Sequence, residues 1–234
     1  MLEIKNYHSP ILKDISFSLK QGQNLLILGE NGVGKSTLAK VLCGIESSNT
    51  VSIQNKNLQT LKGRKRSAFI NYIPPKLEIF DAFLSVKDFL SLSHLAKSPD
   101  KTRLEDIAQK VGITHLLSQS CQSLSSGEAQ LLMVASSLLH ASIFTVFDEP
   151  TANLDPQKIQ KLFKLFQDPS LLESKIIISH NLDFAYQLGF DILFLKDKGI
   201  AFYGSNKDFF RQSQLDIFYE GVVENKKTHI MVKL

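Results

Sequence analysis

The sequence predicts a fold of the α/β class, in which buried strands alternate with helices. An apolar run at residues 24–28 (NLLIL) is followed at once by a glycine-rich turn and then by the helix-like residues 38–42. Residues 143–148 (IFTVFD) read as a second buried strand that follows a helix. Such continuous apolar strands are typical of a parallel sheet covered on both faces. The 234 residues, 43% of them apolar, suffice for one such domain with a small subdomain.

Antiparallel strands are predicted near the start of the chain. Residues 2–4 and 15–19 alternate apolar and polar side chains with a period of two, which indicates two strands joined through NYHSP. A short strand is expected at residues 51–53 and another at residues 69–73, where Pro74-Pro75 ends it.

A helical insertion is predicted after the two prolines. Apolar spacing at residues 86–90 and again at residues 104–111 indicates two helices, with SPD at residues 98–100 between them. We interpret about residues 76–130 as a helical subdomain inserted in the core of one domain that spans residues 1–234.

The second half of the chain is predicted to return to the core. In order, we expect a helix at residues 129–139, a strand that ends at residue 148, a loop at 151–156, a helix at 157–166, a strand at 175–179, a hairpin of 191–195 with 200–203, and a closing helix at 208–218.

The net charge and the two cysteines exclude few classes of function. The net charge of +4 is compatible with a membrane-facing partner or with nucleic acid and requires neither. The basic run at residues 62–66 is interpreted as a solvated loop, with contact to lipid or nucleic acid as the alternative. Cys43 and Cys121 fit no metal or redox spacing, which favours a reduced cytosolic chain, and the N-terminus has no apolar stretch of the signal-peptide type.

Residues 129–147 lack Asp, Glu, Lys and Arg over a length that could cross a bilayer. We reject a membrane span, because the run contains several polar residues and changes near His140 from helix-like to β-branched and aromatic. A buried helix followed by a buried strand explains it better.

A phosphate-binding loop is the strongest motif in the chain. The pattern G-x-x-x-x-G-K-[ST] is matched by Gly29, Glu30, Asn31, Gly32, Val33, Gly34, Lys35, Ser36 and Thr37, between the predicted strand and helix. Glycines let backbone N–H groups approach phosphate oxygens, and the start of the helix adds partial positive charge. Lys35 can reach the β- and γ-phosphates, and the Ser36 hydroxyl can ligate Mg²⁺. We call residues 29–37 the phosphate loop.

Two carboxylates follow the strand at residues 143–148. A phosphate loop needs an acidic residue at a buried strand end on the Mg²⁺ side, and Asp148 supplies it. Glu149 follows at the strand exit and could take a proton from the attacking water. A polar strand end without function is the alternative for this pair.

The order GENGVGKST, LSSGE, FTVFDEP, TANLD and ISH resembles the ATP-binding subunits of ABC transporters over nearly the whole chain. The resemblance implies a P-loop NTPase of the ABC ATPase type, with a RecA-like core, an antiparallel β subdomain and the helical insertion. It also implies a head-to-tail homodimer in the ATP-bound state. The phosphate loop of one copy would share ATP with the signature segment LSSGE, residues 124–128, of the other, through Ser125, Ser126, Gly127 and Glu128.

The resemblance assigns further roles. Tyr7 would stack on adenine, His180 would contact the γ-phosphate, and Asp155 would bridge across the dimer. Each residue also has a simpler interpretation, since Tyr7 could be a turn aromatic and His180 a structural histidine. The sequence Ser-Gly-Glu before an apolar helix is also typical of N-terminal capping.

Two positions depart from the family pattern. Pro75 stands where the family usually has a glutamine that contacts Mg²⁺ and water, so that role is vacant or is filled by a neighbour such as Lys76 or Glu78. Leu131 follows Gln130, so an arginine that often follows the signature is missing. We expect these changes to affect turnover and coupling rather than nucleotide binding.

The predicted function is ATP hydrolysis that powers transport through separate integral-membrane permease subunits. The chain would lie at the cytoplasmic face of the cell membrane, use ATP and Mg²⁺, work with a substrate-binding protein and bind no nucleic acid. The stretch LSVKDFLSLS resembles importers of iron siderophores, haem, cobalamin and other metal chelates. Zinc or manganese import, an exporter subunit, a non-transport ABC ATPase such as an iron–sulfur assembly subunit, and a regulatory subunit with poor turnover remain as alternatives.

Overall fold

The computed structural model describes residues 1–79, 81–93, 101–152 and 154–232, with the side chain of residue 101 excepted. The predicted separator at residues 98–100 and Asn153 of the predicted loop 151–156 lie outside the described residues.

The strands agree with most of the predicted positions. They are β1 (Leu2–Tyr7), β2 (Ile15–Leu19), β3 (Leu25–Gly29), β4 (Val51–Ile53), β5 (Lys56–Asn57), β6 (Ile70–Ile73), β7 (Phe144–Asp148), β8 (Ser174–Ile178), β9 (Asp191–Lys196), β10 (Gly199–Gly204), β11 (Val223–Asn225) and β12 (Ile230–Val232).

The α-helices lie between these strands. They are α1 (Lys35–Leu42), α2 (Arg64–Phe69), α3 (Val86–Leu92), α4 (Lys101–Val111), α5 (Ser126–His140), α6 (Pro156–Gln167), α7 (Leu182–Leu188), α8 (Asn206–Phe209) and α9 (Gln212–Phe218).

The central sheet has the strand order β10-β9-β3-β8-β7-β6. The pairs β9–β3, β3–β8, β8–β7 and β7–β6 are parallel, and β10 joins the edge as the antiparallel arm of a hairpin with β9. A separate antiparallel sheet has the order β2-β1-β4-β5. The mixture of a parallel core with an antiparallel sheet confirms the predicted α/β class.

Successive residues of β3 enter different cores because side chains alternate between the faces of a strand. Leu25 and Ile27 pack with α1 and the antiparallel sheet, whereas Leu26 and Leu28 pack with α5 and the other helices. Both faces of the strand are therefore buried, which explains why its sequence shows no polar alternation.

The helix α5 links the insertion to the core. It contacts α3 and α4 of the insertion, and its last residue, His140, lies within hydrogen-bond distance of backbone oxygens in two other segments. The His140 ring nitrogens lie 3.2 Å from the carbonyl oxygen of Ser93 and 2.9 Å from that of Ser67. The charge-free stretch at residues 129–147 is therefore a buried helix followed by β7, as predicted. Among the described helices, none is long and apolar enough to cross a membrane.

Several local predictions were wrong. The basic run at residues 62–66 stays at the surface, but Arg64 begins the helix α2, in which the Arg66 guanidinium donates a hydrogen bond to the Gly44 carbonyl oxygen at 2.9 Å. The predicted closing helix at residues 208–218 is two helices, because Arg211 has an extended backbone between them. The helix α7 and the C-terminal hairpin of β11 with β12 were not predicted.

Candidate active site

Three chain segments leave the central sheet at the same edge. Ile27 of β3 lies opposite Ile178 of β8, and Ile178 lies opposite Asp148 of β7. The phosphate loop follows β3, His180 follows β8 and Glu149 follows β7. Because parallel strands end at one edge of a sheet, this register gathers the three segments into one site.

The phosphate loop is closed tightly by glycines at left-handed backbone positions. Gly34 has φ 109° and occupies the position before α1, where an added Cβ would lie 2.7 Å from a methyl carbon of Leu12. At Gly29 an added Cβ would lie 2.6 Å from the backbone oxygen of Leu195. A glycine cannot cap the helix with a side chain, so the first N–H groups of α1 stay available to an anion.

A cavity of about 310 Å³ lies over the start of α1. It is lined by Ile11, Asn31, Gly32, Gly34, Lys35, Ser36, Thr37 and Glu149. The structure thus brings most of the phosphate loop together with one of the two predicted carboxylates. The sequence analysis missed Ile11, an exposed apolar side chain on the loop between β1 and β2 that gave no motif signal.

Lys35 is held inside the phosphate loop. Its Nζ donates hydrogen bonds to the carbonyl oxygens of Gly29 at 2.8 Å and Glu30 at 2.9 Å. Burial lowers the pKa of Lys35, and the charges of Glu149 and Asp148 act in the opposite direction. An anion in the cavity would replace backbone dipoles as the partner of this ammonium group.

Asp148 is buried at the end of β7, with 1% of its surface exposed. The Tyr72 hydroxyl donates a hydrogen bond to its Oδ2 at 2.8 Å, whereas Oδ1 has no hydrogen-bond partner among the described residues. A buried carboxylate oxygen without a donor fits a divalent cation or its bound water. Ser36 and Asp148 would therefore hold Mg²⁺ together with the phosphates, and the cation would neutralise their charge.

Glu149 and His180 form a hydrogen-bonded pair. His180 Nδ1 lies 2.8 Å from Glu149 Oε2, and the backbone N–H of His180 donates to the same oxygen at 3.3 Å. Glu149 has φ 51°, an uncommon backbone conformation for a residue with a side chain. The predicted base and the predicted γ-phosphate contact therefore lie side by side, and Glu149 is the member of the pair that lines the cavity.

The signature segment forms a capped helix start and lies apart from the phosphate loop. Ser125 caps α5, and the Glu128 carboxylate accepts hydrogen bonds from the Ser125 backbone N–H at 2.8 Å and from its hydroxyl at 2.6 Å. These hydrogen bonds lower the pKa of Glu128. Among the described residues that line the 310 Å³ cavity, none belongs to the signature segment. Capping, the simpler interpretation, accounts for its geometry within one copy.

Ser126 instead lines a second cavity of about 520 Å³, which we call the insertion groove. The groove is lined by Pro75, Lys76, Leu77, Ile79, Cys121, Gln122, Leu124, Ser126, Ala129, Gln130, Met133 and Ala152. Lys76 thus faces this groove, and among the described residues that line the 310 Å³ cavity neither Lys76 nor Glu78 is found. The candidate replacements for the missing glutamine are not brought to the phosphate site.

Two further predicted residues have other partners. Asp155 caps α6 through the Lys158 backbone N–H at 2.9 Å and pairs with the Lys158 ammonium at 2.9 Å. Tyr7 is 8% exposed and packs in the core, because it occupies the last inward position of β1, opposite Ile15. Tyr7 is not among the described residues that line the 310 Å³ cavity, and its stacking on adenine stays a prediction.

Comparison with known proteins identifies the family to which this chain belongs. The sequence pattern described as ABC transporter matches residues 12–152, more than half of the chain. This chain belongs to the ABC transporter family. It is an ATP-binding subunit of that family, with ATPase activity and with ATP and Mg²⁺ as ligands.

Curated relatives of the ABC chain differ in their transport direction. The zinc import ATP-binding protein ZnuC of Wigglesworthia glossinidia brevipalpis is 36% identical over 202 residues, which cover 84% of this chain and 81% of that protein. The lipoprotein-releasing system ATP-binding protein LolD of Pseudoalteromonas translucida is 31% identical over 198 residues, covering 80% of this chain and 85% of that protein. Against other, longer relatives the chain spans between 36% and 47% of their length.

Solved structures confirm the fold of an ABC cassette. The cbiO1 protein of Clostridium perfringens, described as part of the ABC transporter complex cbiONQ, has a TM-score of 0.75 and 26% identity, covering 92% of this chain and 94% of that one. MJ0796, described as a dimeric bacterial ABC transporter cassette, has a TM-score of 0.76 and 20% identity, covering 88% of this chain and 99% of that one. Dimeric cassettes and transporter complexes are thus found among proteins of this fold.

The position of Lys35 leads to a prediction about nucleotide binding. Lys35→Ala removes the ammonium group that the phosphate loop holds over the cavity, so we expect Mg-ATP affinity to fall roughly 100-fold while the fold is kept. Isothermal titration calorimetry measures the affinity. Lys40→Ala, on the same helix in its last turn, is the matched control and should bind as the wild type. Unchanged ATP affinity in a folded Lys35→Ala protein would contradict the assignment.

Proposed function

We propose that this chain powers solute transport through separate membrane-spanning subunits, by closing and opening a head-to-tail dimer around ATP. The observation that supports it most directly is the split between the two half-sites. The 310 Å³ cavity contains the phosphate loop and Glu149, whereas Ser125 and Ser126 are exposed elsewhere on the same copy. A second copy in head-to-tail orientation would bring its signature segment to the open side of this cavity.

The proposed chemistry assigns one task to each group. Lys35 and the first N–H groups of α1 hold the phosphates, and Ser36 and Asp148 hold Mg²⁺. Glu149 takes the proton of the attacking water, as its place at the cavity allows. His180, which is hydrogen-bonded to Glu149, contacts the γ-phosphate and keeps the carboxylate oriented. In the dimer Asp155 crosses to the other copy, which requires it to leave Lys158.

The insertion groove is the proposed contact with the membrane subunits. It lies where the chain leaves β6 at Pro75 and enters the helical insertion. The Gln130 side chain lines it, and its amide nitrogen is buried without an acceptor among the described residues. Phe83, near the groove in sequence, is 94% exposed. The exposed ring of Phe83 offers apolar surface that a partner would bury.

The proposed solute follows from the stretch LSVKDFLSLS and from the names of curated relatives. We favour import of an iron siderophore or another metal chelate, with a substrate-binding protein as a further partner and with the chain at the cytoplasmic face of the membrane. The zinc import function in the name of ZnuC agrees with metal import, and the name of LolD keeps an exporter subunit as the alternative. Co-purification with membrane subunits, followed by uptake assays with metal chelates, separates these two functions from a non-transport ATPase.

The Glu149 geometry yields a prediction about hydrolysis. Glu149→Gln keeps the size of the side chain but removes the base, so hydrolysis should fall by about 10²–10⁴-fold with ATP affinity retained. Since ATP is no longer consumed, the ATP-bound dimer should accumulate, which size-exclusion chromatography with Mg-ATP detects. Glu105→Gln, on the surface of α4, is the control. A monomer with normal turnover would contradict the proposal.

Pro75 yields a prediction about basal turnover. Proline has no group that can ligate Mg²⁺ or orient water, so hydrolysis by the isolated subunit should be slow. Pro75→Gln supplies an amide at the family's glutamine position, and this side chain has to turn from the insertion groove, which Pro75 lines, towards the phosphate loop. We then expect basal turnover to rise while ATP affinity changes little. Steady-state ATPase assays compare it with Pro74→Gln, the neighbouring proline, which should not raise turnover. Equal turnover of Pro75→Gln and the wild type would mean that the missing ligand is supplied elsewhere.

A further inference from the structure

Tyr72 contacts Asp148, the proposed metal ligand, from a neighbouring strand to which the sequence analysis assigned no site residue. It lies on β6, which runs parallel to β7, and its backbone is opposite Val146, two residues before Asp148. Its side chain reaches along the sheet so that the hydroxyl donates to Asp148 Oδ2 at 2.8 Å.

The two oxygens of Asp148 have different surroundings. Oδ2 is held by Tyr72, whereas Oδ1 is buried and has no hydrogen-bond partner among the described residues. A hydrogen bond to one oxygen fixes the rotation of the carboxylate about its last bond. The free oxygen is therefore presented in a set direction, and an unpartnered oxygen in a buried place is costly unless a ligand satisfies it.

We propose that Tyr72 is a positioning residue, which orients Asp148 so that its free oxygen meets the divalent cation of the bound nucleotide. The inference rests on the proposed metal role of Asp148. Tyr72 also stands three residues before Pro75 on the strand that leads into the insertion groove. A partner that moves residues 72–75 would act on Asp148 through the Tyr72 hydroxyl. This connection does not require the glutamine that the family usually has at the position of Pro75.

The test is the Mg²⁺ dependence of nucleotide binding by Tyr72→Phe. This change keeps the ring and its packing and removes the donor. With the fluorescent analogue MANT-ATP as probe and free Mg²⁺ varied, the half-saturating Mg²⁺ concentration should rise about tenfold or more, as is usual when a hydrogen bond to a metal ligand is lost. Binding of the same probe in EDTA should be unchanged, because Tyr72 acts on the cation site.

Tyr186→Phe is the matched control. The Tyr186 hydroxyl also donates a hydrogen bond at 2.8 Å, to the backbone oxygen of Lys227, and neither residue is among those that line the 310 Å³ cavity. This variant should keep the wild-type Mg²⁺ dependence even if its unfolding midpoint falls. In an Asp148→Asn background, adding Tyr72→Phe should change the Mg²⁺ dependence no further, since both residues act on one ligand.

Two results would overturn the inference. If Tyr72→Phe lowers the unfolding midpoint but leaves the half-saturating Mg²⁺ concentration at the wild-type value, the hydrogen bond is structural. If Asp148→Asn itself leaves the Mg²⁺ dependence unchanged, the proposed metal role of Asp148 fails, and the role of Tyr72 fails with it. The two failures are distinguishable, because the first leaves the metal role of Asp148 in place.

Discussion

The register of three parallel strands is the constraint on which the site depends. Ile27, Ile178 and Asp148 lie side by side on β3, β8 and β7, so the segments that follow them meet at one edge. A shift of β7 by one residue would turn Asp148 to the opposite face of the sheet. The apolar side chains that bury both faces of these strands therefore fix the chemistry as well as the fold.

The N-termini of α1 and α5, which would meet in the proposed dimer site, differ in how their backbone N–H groups are capped. The start of α1 follows a glycine and offers its N–H groups freely. At the start of α5, the side chains of Ser125 and Glu128 accept hydrogen bonds from each other's backbone N–H groups. The carboxylate of Glu128 also places negative charge where a phosphate would approach. In our account the phosphate loop therefore supplies most of the affinity for ATP.

Local patterns in the sequence predicted the strands and the phosphate loop, because apolar periodicity and a glycine-rich turn are set by neighbouring residues. The sequence placed Glu149 and His180 directly after two predicted strands, but it did not predict that their side chains form a hydrogen bond. The hydrogen bond between Tyr72 and Asp148 could not be predicted in this way, because the two residues are 76 positions apart in the sequence and lie on different strands. The pairing of Tyr7 with Ile15, which buries the Tyr7 side chain, also depends on a facing strand.

The most direct test of the account is a cross-link between two copies. Chains that carry Glu149→Gln together with either Asn31→Cys or Ser125→Cys are mixed and treated with a short bismaleimide. Cys43 and Cys121 are buried and serve as an internal control in each chain alone. We expect a covalent dimer that forms with Mg-ATP and requires both variants, because the phosphate loop of one copy faces the signature segment of the other. A mixture that gives no covalent dimer with Mg-ATP would contradict the shared site.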